Sequence, residues 1–232
     1  MKNLIIVEGK NDKFFIEALI KHMNLIDIEV SNNVIIIEDD SIETLSGLNK
    51  ESLINALKSI RLSTKKKNIS KVGILIDQDN FTKTEKLIFV NAAIANSFGE
   101  ENILSNTCVF STVSVDDKQS LDIAMFLTNV NGCGELETIL KEIKSQSSIH
   151  ADCLENWWNC LKMSGNDLSR KEFDKFWIQF YVRYDTCTAR EQTQAGKYCT
   201  IEASMKKSIW NFDHECLNEL KQFLKLFGTE TI

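Results

Sequence analysis

The segments Leu4-Ile5-Ile6-Val7 and Val72-Gly73-Ile74-Leu75-Ile76 contain no polar residue. A β-strand sends alternate side chains to opposite faces, so a strand with one wet face alternates apolar and polar positions. These two runs do not alternate and must be covered on both faces, which is the condition of a parallel sheet lying between helices. Behind each run the period changes. Phe14, Phe15, Ala18, Leu19 and His22 recur at helical spacing after the first, and Leu87, Val90, Ile94 and Phe98 after the second. Strand followed by helix, repeated, predicts an α/β fold with a mainly parallel sheet sandwiched by helices. Residues 34–37 are a further candidate for a buried strand, with an edge piece before them at 28–30. Residues 51–62 read as a helix with Leu53, Ile54, Leu57 and Ile60 on one stripe. Residues 108–115 and 121–127 complete the sheet, the second of them placed at an edge.

Asn131-Gly132-Cys133-Gly134 interrupts this pattern. Beyond it, 136–143, 151–163, 171–184 and 214–227 carry apolar residues at intervals of three and four, as helices do. At roughly 150 residues per domain, a chain of 232 residues fits one α/β domain, 1–130, with a helical C-terminal portion, 131–232, packed on it. Trp157, Trp158, Trp177 and Trp210 all fall in that portion, where core packing is their expected role.

Charge narrows the function classes. The net charge is −6, with 14 basic against 18 acidic residues up to 130 and 13 against 15 beyond it. Neither half is a basic nucleic-acid coat. Contact with a phosphate backbone would need local patches, such as Lys65-Lys66-Lys67 with Lys71, or Lys206-Lys207, or metal ions set in a carboxylate-rich cleft. Lys197, in Gln194-Ala195-Gly196-Lys197, is a weaker candidate, for a contact to a transition state. The chain has 7 cysteines and no C-x-x-C pair, so reduced thiols buried as small hydrophobes are expected rather than a disulfide framework. His150-x-x-Cys153 and His214-x-Cys216 match no zinc spacing. There is no phosphate-loop or dinucleotide-binding glycine motif, and no nucleophile elbow. No run nears the roughly 18 apolar residues of a membrane span, and Met1-Lys2-Asn3 leads straight into a strand. A soluble cytoplasmic protein without membrane contact is therefore expected.

Both unalternating runs end in carboxylates: Glu8-Gly9-Lys10-Asn11-Asp12 after the first, Asp77-Gln78-Asp79-Asn80 after the second. In an open α/β sheet, ligands bind beyond the carboxyl ends of the strands, so neighbouring strands would bring the two acidic groups to one crevice. Clustered carboxylates repel one another unless a divalent cation offsets them. Hard oxygen donors without His or Cys favour magnesium, with manganese as substitute. Asp77 and Asp79, two apart, share a face of an extended segment, and Gly9 lets a phosphate or metal approach the backbone. Taken singly, Asp12 also suits the positive end of a helix, and Asp77-Gln78-Asp79-Asn80 also suits a plain turn. Glu8 directly follows a buried strand, where a carboxylate without a partner is costly.

Ile5-Ile6-Val7-Glu8-Gly9-Lys10-Asn11-Asp12 and Ile74-Leu75-Ile76-Asp77-Gln78-Asp79 resemble the two signature motifs of the Toprim domain. That module serves topoisomerases, bacterial primases, the 5S ribosomal RNA maturase and the OLD-family nucleases. Gly134-Glu135-Leu136-Glu137 and Trp210-Asn211-Phe212-Asp213-His214 are similar to later landmarks of small bacterial Toprim-like proteins. The resemblance implies that Glu8 acts as general acid or base and that Asp77 and Asp79 hold magnesium. It further implies that Asp12 serves a second ion as in the nuclease branch, and that Glu137 completes that second site, although a first-turn acid favoured by the helix dipole is the more ordinary role for Glu137. Lys10 would contact a phosphate. Gln78 departs from the small or apolar residue that many relatives place inside the D-x-D. The implied activity is magnesium-dependent cleavage of DNA or RNA, with phage or plasmid defence as its setting and a partner ATPase or a second copy as associates. The alternative is a non-catalytic Toprim-fold module that binds metal or nucleotide or docks a partner protein. The acidic balance of the chain favours that alternative.

Overall fold

A computed structural model of the chain describes residues 3–32, 49–67, 69–166 and 168–230. The first unalternating run gives β1 (Asn3–Ile6), and α1 (Lys10–His22) follows it. The chain then passes through β2 (Leu25–Ile26), β3 (Ile28–Ser31) and α2 (Lys50–Lys67). The second run gives β4 (Lys71–Asp77), followed by α3 (Lys83–Phe98), β5 (Ser111–Asp116) and β6 (Gln119–Thr128). The expected strand at 34–37 lies outside the described residues.

These strands form a five-stranded sheet in the order β3-β1-β4-β6-β5. Every pairing is parallel except that of β5 with β6. The α/β fold with a mostly parallel sheet is thus the one the sequence predicts. The edge position is not: β6 lies inside the sheet, and β5 forms the edge beyond it. Sequence explains the difference. Leu121-Asp122-Ile123-Ala124-Met125-Phe126-Leu127 is almost continuously apolar, as an interior strand must be, whereas Ser111-Thr112-Val113-Ser114-Val115-Asp116 alternates, and only Val113 and Val115 are buried. The predicted start of β5 at 108 also shifts, because Cys108 sits at φ 60° in a turn.

One face of the sheet presents Leu4, Ile6, Val72, Ile74, Ile76, Ile123 and Met125 to Leu53, Leu57 and Ile60 of α2 and to Val90, Ile94 and Phe98 of α3. The opposite face is covered by the end of the chain, α10 (Asn218–Lys225) and the residues after it. Phe223 packs on Phe126 with ring centroids 5.4 Å apart, and Phe227 on Phe110 at 5.3 Å. Lys71 Nζ donates to Leu226 O at 2.6 Å, and Asn3 Nδ2 donates to Phe227 O. A last strand, β7 (Thr229–Glu230), pairs antiparallel with β2.

The chain divides into two compact units, Met1–Thr128 with Glu219–Ile232, and Asn129–Asn218. The second holds α4 (Leu136–Glu142), α5 (Ile149–Met163) and α6 (Arg170–Phe180), which widens into a π turn at Tyr181–Asp185. Three single-turn helices follow, α7 (Ala189–Gln192), α8 (Ala195–Tyr198) and α9 (Ile201–Ser204). Its core is aromatic. Trp158 stacks on Phe173 at 4.2 Å, and Trp177 on Tyr181 at 5.5 Å. The Tyr181 hydroxyl donates to Ile209 O at 3.1 Å and accepts from Gln146 N at 3.2 Å, and burial holds its pKa above the usual range. Asp185, at the end of the π turn, caps α5 from outside by accepting from His150 N and Ala151 N at 2.9 and 3.0 Å.

Two expectations fail. Trp157 is 42% exposed against Phe176, unlike the other three tryptophans. It adjoins Trp158 on α5, and neighbours on a helix point about 100° apart, so only one of them can face inward. The thiols are likewise not uniformly reduced and buried. Cys187 and Cys199 form a disulfide with Cα atoms 6.2 Å apart, and Cys108, Cys133, Cys153 and Cys160 are exposed.

Candidate metal centre

Adjacent strands β1 and β4 run parallel, with Ile6 opposite Ile74, so their carboxyl ends leave the sheet side by side. The chain after β1 turns through Val7, whose N–H donates to Ser31 O at 3.0 Å, and carries Glu8 to the end of β4. There Glu8 Oε1 accepts from the backbone N–H of Asp77 at 3.3 Å. Two stretches some seventy positions apart therefore meet.

The turn after β4 is tightly specified. Gln78 N–H donates to Thr128 O at 3.0 Å, extending the β4–β6 ladder by one residue. The buried Gln78 amide donates to Phe81 O at 3.2 Å, and Phe81 N–H returns a bond to Gln78 O at 3.1 Å. The residue that departs from the D-x-D pattern thus locks the loop that carries both aspartates. Asp79 stands at φ 53°, a left-handed conformation that aspartate tolerates better than most residues. The result sets carboxylate oxygens of Asp77 and Asp79 within 4.8 Å of each other. Asp77 is buried to 7% exposure, while Asp79 is half-buried.

Asp12 lies in the first turn of α1, and a Cβ on Gly9 would come within 3.0 Å of its Oδ2. A side chain at position 9 would therefore press on the Asp12 carboxylate, which could turn aside, since the Gly9 backbone is extended and open to any residue. Lys10 is exposed, its ammonium 5.4 Å from the Phe14 ring. Among the candidate basic patches, Lys71 is committed to the Leu226 carbonyl, and Lys207 pairs with Glu191 at 2.8 Å, which together with the Thr188 cap lowers the Glu191 pKa to about 2. The side chains of 65–67 lie outside the described residues. Lys197 lies against the Tyr198 ring.

Glu137 belongs to the second unit, in the first turn of α4. Burial, and then the charge of Glu135, push its carboxyl above the ordinary range. Glu135 itself went unrecognised in the sequence. It is buried, with Oε2 on Lys171 Nζ at 2.9 Å, while Oε1 has no hydrogen-bond partner among the described residues. Lys86 was missed as well: its ammonium lies 3.0 Å from Asp79 Oδ2.

Carboxylates at the ends of adjacent parallel strands, with no nitrogen or sulfur donor in their set, suit a hard divalent cation. The chain belongs to the family described as a protein of unknown function, DUF3226, whose model matches residues 2–229. No curated protein and no solved structure matches the chain. No helix among the described residues is long and apolar enough to cross a membrane.

Proposed function

We propose that this protein is a Toprim-type nuclease, dependent on magnesium or manganese, that hydrolyses phosphodiester bonds of DNA or RNA in the cytoplasm. The observation that carries the reading is the 3.3 Å bond from Asp77 N–H to Glu8, beside the paired carboxylates of Asp77 and Asp79. The reading rests on residues of the first unit alone. Asp77 and Asp79 would hold the ion, with Asp12 near by. When bound, the ion supplies charge stabilisation and a more acidic water. Glu8, steadied by the Asp77 amide, takes or returns the proton of the attacking or leaving oxygen. Lys10, exposed at the start of α1, meets a backbone phosphate. Phage or plasmid defence, with a partner ATPase or a second copy of the chain, is the setting that the Toprim resemblance suggests.

The test is cleavage of labelled DNA and RNA with added Mg²⁺ or Mn²⁺. Glu8→Ala and Asp77→Ala are each expected to slow cutting by roughly 10²–10⁴-fold, the scale of losing a general acid–base or its electrostatic partner. Absence of cutting with every metal, or cutting that survives both substitutions, rejects the enzyme. The net charge of −6 favours one rival, a non-catalytic module that binds an ion or docks a partner through the same crevice. Metal uptake without cleavage is its signature.

A further inference from the structure

Lys86 occupies a position that helix electrostatics disfavours. It lies in the first turn of α3, where the aligned peptide dipoles present positive charge and acidic side chains are the stabilising ones. That turn is rigid: Thr82 accepts from Glu85 N–H at 3.2 Å, and Glu85 returns to Thr82 N–H at 2.7 Å. The Lys86 side chain is drawn in to 12% exposure, with its ammonium 3.0 Å from Asp79 Oδ2 and 4.8 Å from the Phe81 ring centre. A dipole-opposed, largely desolvated ammonium is retained at a cost, and the acidic group it faces offsets that cost.

We propose that Lys86 is the built-in counter-ion of the acidic centre. It holds Asp79 while no divalent ion is bound, and it swings to a phosphate oxygen of the nucleic acid once the ion's charge takes over. This rests on the metal-site reading above and adds a residue that the Toprim motifs do not contain. The chemistry suits lysine: a compact point charge on a flexible stem can exchange one oxyanion for another without rearranging the helix that carries it. Lys86 is a positioning residue toward Asp79 and a binding residue toward phosphate. Its effect on metal affinity then has a definite sign. A cation beside the ion opposes it, so removing the ammonium strengthens metal binding, whereas a residue that merely supports the loop would weaken binding when lost.

The test is calorimetric titration of the full-length, ion-free protein with Mn²⁺ alone. It compares wild type, Lys86→Met, Lys86→Arg and Asp77→Asn, with circular dichroism melts to establish that each variant is folded. Wild type binds Mn²⁺ and Asp77→Asn does not. Lys86→Met binds Mn²⁺ more tightly by about tenfold or more, the least expected from removing one charge about 6 Å from a divalent ion even at the dielectric constant of water, and Lys86→Arg stays near wild type. In the presence of Mn²⁺, Lys86→Met also loses several-fold affinity for a phosphorothioate oligonucleotide. Unchanged or weaker Mn²⁺ binding by folded Lys86→Met, or oligonucleotide affinity that does not fall, overturns the role of Lys86 while leaving the metal site standing. No Mn²⁺ uptake by the wild type removes both.

Discussion

Glu137 carries a carboxyl whose pKa is raised, first by burial and then by the neighbouring Glu135. The folded protein therefore holds this proton more tightly than the unfolded chain does, and stability falls as pH climbs from the ordinary glutamate range through the raised value. Glu137→Gln removes that dependence. Urea unfolding in ion-free buffer should show the variant more stable than wild type at pH 7, with the advantage vanishing near pH 4. An advantage that is the same at both pH values would mean that packing, not ionisation, is responsible. The same scale shows what a sequence can and cannot reveal about the candidate site. Glu8, Asp77 and Asp79 are legible because a carboxylate directly after a doubly covered strand has few places to go except the crevice at the sheet's end. Gln78 and Lys86 are not, because their roles depend on the left-handed turn at Asp79, which brings one side chain under the loop and the other onto the carboxylate. Glu135 and Glu137 stand two apart in one acidic stretch, and what separates them, the Lys171 ion pair of the first and the burial that raises the pKa of the second, depends on the folded structure.

Among the elements, strands were read most securely where burial is complete. The two unbroken apolar runs became β1 and β4 and the nearly unbroken one became β6, all interior, while the alternating run became the edge strand β5. The same rule, applied to residues 121–127, would have placed β6 inside the sheet. The single-turn helices α7, α8 and α9 were invisible, since four residues are too few to show a period, and two of them are set by the caps Thr188 and Thr200. Gly73 of β4 marks a constraint that sequence hides altogether. A Cβ there would stand 2.5 Å from Ile5 Cδ1 and 3.0 Å from Phe227 Cζ. Ile5 can turn its methyl aside, but the Phe227 ring is held between Phe110 and Phe223. Gly73→Ala should therefore cost about 1–3 kcal/mol, the usual penalty of overpacking a filled core. Combining it with Phe227→Leu should recover part of that loss in denaturant melts. A neutral single substitution would mean that the end of the chain packs less closely on β4 than described.

For the whole molecule, the decisive feature is that residues 219–232 return to the first unit after the entire second unit has been made. Leu220, Phe223, Leu224 and Phe227 are each at most 2% exposed. Full burial of such a side chain contributes roughly 1.5–3 kcal/mol, so the four together rival the roughly 5–15 kcal/mol that holds an ordinary domain folded. A domain cut from the sequence at 130 would keep both acidic motifs but strip the cover from the part of the sheet around Gly73, Phe110 and Phe126. Expressed alone, residues 1–130 should lack a cooperative thermal transition and should bind a hydrophobic dye. Joining 219–232 to that fragment through a flexible Gly/Ser linker should restore both the transition and the Mn²⁺ uptake expected of Glu8, Asp77 and Asp79. If the bare fragment instead melts cooperatively near the full-length midpoint, the C-terminal segment is a covering rather than a structural part of the sheet, and the acidic centre can be studied without it.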